Sequence, residues 1–70
     1  MSDHVYRVIE IVGSSNNTIE DAINNALKRA GATVRHLDWF EVKEMRGQVS
    51  GDKVGYYQVT LKIGFRIEDA

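Results

Sequence analysis

With 70 residues, nine basic and ten acidic side chains, two histidines and no cysteine, the chain has room for one domain, residues 1–70, and for neither a disulfide staple nor a thiolate zinc site. A net charge of −1 gives no electrostatic footprint for nucleic acid or an anionic membrane, and two histidines are too few for a histidine metal cage on one chain. A hydrophobic share of 43% argues against disorder, while a domain this small buries only about 60% of its unfolded surface, which points to self-association as a source of further stability.

Residues 4–12, HVYRVIEIV, are rich in β-branched side chains and free of breakers, and predict a strand. Val5, Ile9 and Ile11 fall on one face, Tyr6, Val8 and Val12 on the other, so both faces need cover. GSSNN, residues 13–17, predicts a loop. Ile19, Ala22, Ile23, Ala26, Leu27, Ala30 and Val34 then recur at helical spacing, with Glu20, Asp21, Asn24, Asn25, Lys28 and Arg29 on the opposite side. Asn17 or Thr18 is the expected N-cap. The acids fall in the first turn and the bases near the last, as the helix dipole favours. Gly31 is the weak point, costing about 1 kcal/mol relative to alanine in a helix interior.

A second strand is expected from about Arg35 to Val49, a turn at SGDK (50–53), and a third strand from about Val54 to Ile67. In the third strand Tyr57, Val59, Leu61, Ile63, Phe65 and Ile67 line one face; Tyr56, Gln58, Thr60, Lys62, Gly64 and Arg66 line the other. The apolar face has only the helix to meet. The expected fold is α+β, in the order β-α-β-β, with a three-stranded antiparallel sheet wrapped around a single helix. No apolar run approaches the roughly 18 residues of a membrane helix, and MSDHVYR does not read as a secretory signal, so a cytoplasmic protein is expected.

The chain's one tryptophan sits in RHLDWF. Strand parity puts Phe40 and Val42 on one face and Leu37, Trp39, Glu41 and Lys43 on the other. The register that sets Glu41 against Lys62, a favourable cross-strand charge pair, also sets Phe40 against Ile63, Val42 against Leu61, Trp39 against Gly64 and Met45 against Gln58. Phe40 then faces the helix, and Trp39 lies over a glycine, beside Leu37, on the face the helix leaves bare. Such a tryptophan is either a packing anchor between subunits or a rigid aromatic platform for a flat ligand. Periodicity does not choose between them.

The succession VYRVIEIVGSS, a capped helix, LDWFEV, YQVTLKIGF and a short acidic tail resembles the dodecins from Val5 to Glu68. The resemblance implies a flavin-binding protein assembled as a hollow homo-dodecamer, with isoalloxazine rings stacked between tryptophans of symmetry-related subunits. Trp39 matches that tryptophan, and Gln58 matches a third-strand glutamine that hydrogen-bonds the flavin pyrimidine. The ligand implied is flavin mononucleotide (FMN), alternatively riboflavin or another flavin, and the role implied is storage and sequestration rather than catalysis. A flavin phosphate would want cations, for which Arg46 is the leading candidate, with Arg35, His36, Lys43 and Arg66 behind it.

Two further classes stand beside this one. An enzyme finds little support: the sequence offers no nucleophile–base pair, metal-ligand spacing, phosphate loop or paired carboxylates. A structural homo-oligomer whose bare sheet face only makes subunit interfaces is the stronger alternative. In the expected register Trp39 and Gln58 are six residues apart along the sheet, roughly 20 Å at about 3.3 Å per residue. One ring system would therefore draw them from different subunits.

Overall fold

The computed structural model describes residues 3–67; the first two residues and the acidic tail, 68–70, lie outside the described residues. The elements follow the expected order: strand β1 (Tyr6–Ser15), helix α1 (Ile19–Gly31), strand β2 (Leu37–Ser50) and strand β3 (Lys53–Arg66). β3 occupies the middle of one antiparallel sheet, in the order β1-β3-β2.

β1 begins near its expected start but runs through Gly13, Ser14 and Ser15, which the composition assigns to a loop; these residues pair with Val59, Gln58 and Tyr57. Gly13 is there for the helix rather than for a turn. A Cβ on it would collide with the Ala22 carbonyl oxygen and lie 2.7 Å from the Ala26 Cβ. β1 therefore needs a residue without a side chain where α1 lies against it. Thr18 caps the helix, its hydroxyl accepting from the Asp21 backbone N–H at 2.9 Å, which satisfies one of the first-turn donors. Ser15 closes the joint between β1 and α1: its hydroxyl donates to Asp21 Oδ2 at 2.7 Å and accepts from the Asn17 backbone N–H at 2.9 Å. At the other end Gly31 is the last helical residue, short of Val34, with Ala32 as the C-cap, so the glycine stands at the helix end and not in its interior. His36 takes a left-handed backbone (φ 63°) that turns the chain into β2. The hairpin between β2 and β3 closes through Gly51 and Asp52, since Ser50 pairs with Lys53. Positive φ at Gly51 (67°) is what the first central position of a type II′ turn requires.

The core is small. Ala22, Ala26 and Ala30 of α1 lie on Val59, Leu61 and Ile63 of β3, all buried. Ile9, Ile11, Ile19, Ile23, Leu27 and Leu37 pack around them. Alanine on the helix face brings α1 close to the sheet, so the large side chains of the core come from β3.

α1 packs mainly against β1 and β3. A helix about 10 Å across covers about two strands spaced about 4.8 Å apart, and β2 is the third. After Leu37 every residue of β2 is exposed. Phe40 and Val42 do lie on the helix side, opposite Ile63 and Leu61, yet they are 45% and 43% exposed. Facing the helix side is thus not the same as being under the helix. The chain is correspondingly long, 54 × 20 × 14 Å over its described residues, with a radius of gyration of 14.6 Å where a compact chain of this length has about 11 Å.

Candidate functional site

Two bulges in β2 determine where the site residues stand. The expected pairs hold at the middle of the β2–β3 ladder: Trp39 with Gly64, Phe40 with Ile63, Glu41 with Lys62 and Val42 with Leu61. On either side of that block the register slips by one residue, between Leu37 and Trp39 and again between Val42 and Glu44; a third irregularity falls between Gln48 and Val49.

The first bulge reverses the expectation for Leu37. With Asp38 as the extra residue, Leu37 pairs with Phe65 and packs on the core instead of standing beside Trp39. The outer neighbours of the indole are set by β3 and β1: Gly64 beneath it, then Val8, which pairs with Gly64 from the far side. The indole lies across Gly64. A Cβ there would collide with Cε2 and Cζ2 and sit 2.6 Å from Nε1. Glycine is therefore the residue that lets the ring rest on the sheet, and 43% of Trp39 still faces outward.

The second bulge changes the partner of Gln58. With Lys43 as the extra residue, Glu44 pairs with Thr60, Met45 with Val59 and Arg46 with Gln58. The expected pairing of Met45 with Gln58 is thereby replaced. Met45 joins the Val59 row on the helix side, where it is 56% exposed, and Arg46 joins the outer face. There the Arg46 Nε–H donates to Gln58 Oε1 at 2.9 Å.

The outer face thus reads as successive rows across β1, β3 and β2: Val8–Gly64–Trp39, then Glu10–Lys62–Glu41, Val12–Thr60–Glu44 and Ser14–Gln58–Arg46. Between the tryptophan and the glutamine lies a belt of alternating charge. Lys43 reaches over β3 to Glu10, Nζ to Oε2 at 3.1 Å, with both side chains about half exposed. Trp39 and Gln58 are separated by the six residues from Gly64 to Gln58, or roughly 20 Å. The structure therefore joins Arg46 to Gln58 and keeps both apart from Trp39 within one chain.

The other cation candidates fall into two places. Lys43 is engaged with Glu10. Arg35, His36 and Arg66 line a hollow of about 460 Å³ at the end of the sheet, and Arg7 joins them there. Sequence reasoning passed over Arg7 because a single basic residue inside an apolar strand carries no periodic signal. Among the described residues, no group of three or more His, Asp or Glu side chains gathers to hold a metal ion, and no helix is long and apolar enough to cross a membrane.

Residues 5–68 match the family model for dodecin. A dodecin from Thermus thermophilus is 54% identical over 65 residues, 93% of this chain and 94% of that protein. The solved structure of dodecin from Streptomyces coelicolor aligns with a TM-score of 0.92 at 50% identity, over 100% of both chains. That of dodecin from Streptomyces davaonensis aligns with a TM-score of 0.92 at 47% identity, over 97% of this chain and 100% of that one.

Proposed function

We propose that this chain, which belongs to the dodecin family, is a non-enzymatic flavin-binding protein of the cytoplasm that stores and sequesters flavin, FMN in the first place, in a homo-dodecamer. The observation that carries the reading is the half-exposed indole of Trp39 lying across Gly64 on a sheet face that no described element of its own chain covers. A tryptophan kept for packing within the protomer would be driven under the helix with Leu37. Here the fold puts Leu37 in and Trp39 out.

The residues fit an isoalloxazine. Trp39 offers a rigid flat contact of large area. Gln58 offers an amide with a donor and an acceptor side by side, matching the adjacent carbonyl and N–H of the flavin pyrimidine. The separation of roughly 20 Å along the sheet means that one ring takes Trp39 and Gln58 from different subunits. Self-association is favoured by the bare apolar residues of β2, Phe40, Val42 and Met45, which leave the lone protomer with exposed hydrophobic surface on its helix side. A bound flavin would bring light absorption and redox chemistry. Trp39 in contact with it would quench its excited state by electron donation, which suits storage better than turnover.

Mass spectrometry of the intact native assembly, and of the ligand it releases, tests the reading. The expected result is FMN, or another flavin, at a fixed ratio to subunits. Trp39→Ala should abolish the flavin absorbance and leave the assembly intact. An assembly that falls apart on this substitution, with no flavin in the wild type, would instead make Trp39 a packing anchor in a structural oligomer. A monomeric variant that bound flavin with unchanged affinity would refute the shared site.

A further inference from the structure

Arg46 and Gln58 meet because of the bulge at Lys43. Without that extra residue the register of the preceding block would continue and bring Met45 opposite Gln58; with it, Arg46 stands there. The contact that results has a direction. Arginine carries only donors, so the Gln58 atom facing Arg46 Nε at 2.9 Å is the amide oxygen. The amide nitrogen therefore points away from Arg46.

Resting on the flavin reading above, we infer that Arg46 is a positioning residue for Gln58 and not a contact to the flavin phosphate. A glutamine amide turned by half a revolution about its last torsion exchanges its donor and acceptor. An amide that can turn reads the pyrimidine edge both ways round, because that edge has a carbonyl on each side of its N–H. The Nε–H···Oε1 bond fixes one sense. Oε1 keeps a second lone pair for the ligand N–H, and Nε2 supplies the donor for a carbonyl, in an order set before the ligand arrives. The two backbones hold the pair in place, since Arg46 and Gln58 are direct cross-strand partners. Preorganisation of this kind lowers the ordering cost of binding.

The test uses the full chain, with FMN and riboflavin as the two probes; riboflavin lacks the phosphate. Arg46→Ala should weaken the binding of both by a similar factor, about tenfold, as expected for a hydrogen bond to a charged group. In a Gln58→Ala background the same substitution should change either affinity less than twofold, the signature of one residue acting through another. A loss confined to FMN would make Arg46 a phosphate contact and overturn the inference. An undiminished loss in the Gln58→Ala background would make it a direct ring contact and overturn it as well. A ligand-free readout stands apart from flavin binding. In ¹⁵N spectra of the wild-type protein the Arg46 Nε–H proton should exchange slowly with water, and Gln58→Ala should speed that exchange. If the wild type bound neither flavin, the functional reading would fall while this measurement still decided the positioning. An Nε–H that exchanges as in a solvated side chain would overturn it.

Discussion

The two edge strands of the sheet share a central partner and differ in almost everything else. β1 has α1 on one face, with Ile9 and Ile11 against the core and Gly13 admitting the helix. β2 is four residues longer, is interrupted by bulges, and is bare on both faces beyond Leu37. The covered edge looks after the protomer. The bare edge carries Trp39, Arg46 and the apolar stripe Phe40, Val42 and Met45. A strand freed from the protomer's own core can bulge, re-aim side chains and meet other molecules without unfolding its own chain.

The sharpest way to break this comparison is at the shared strand. Leu61 is fully buried between α1 and the sheet. Leu61→Ala should cost about 2–5 kcal/mol of stability, read as a fall in the denaturant midpoint at fixed protein concentration. A cost below about 1 kcal/mol would mean that the helix-covered half is not what holds the protomer.

Phe40 probes the other half. Because it is 45% exposed in the single chain, Phe40→Ser should leave the far-ultraviolet circular dichroism unchanged while weakening the proposed assembly. Native mass spectrometry would then show smaller species at low concentration, where the wild type stays whole. An assembly that is unaffected would place the subunit contacts elsewhere.

The smallest effect is expected in the charge belt. The Lys43–Glu10 pair is half exposed, and exposed pairs contribute about 0–1 kcal/mol. Lys43→Ala should therefore shift stability by no more than that, and the difference should vanish in about 1 M salt, where charges are screened within about 3 Å. A larger or salt-resistant loss would point to a role for Lys43 in the bulge backbone itself.

Much of this division was legible in the sequence, and the places where it was not share one cause. The helix was readable from Ala22, Ala26 and Ala30 at helical spacing, and its cap to within Asn17 or Thr18, the structure choosing Thr18. The outward direction of Trp39 followed from period-two alternation together with the opposite charges of Glu41 and Lys62. The face of Leu37 and the cross-strand partner of Gln58 were misread because the β2 bulges at Asp38 and Lys43 separate Leu37 and Arg46 from the central block, and alternation carries no mark of where an extra residue enters. Phe40 was misjudged for a different reason: strand parity gives the side of the sheet but not whether anything sits on it.

The amino-acid order by itself determined the four elements, the face to which each strand residue of the central block points, and the pairing of Trp39 with Gly64, because propensity, capping and alternation are local or nearly local. The tertiary structure decided the strand order, which put β2 at the edge beyond the reach of a helix about two strands wide. It also decided the bulges at Asp38 and Lys43, which sent Leu37 into the core and brought Arg46 to Gln58. Those outcomes depend on how three strands and a helix fill one small core together, a balance of packing across the whole sheet that no single stretch of residues contains.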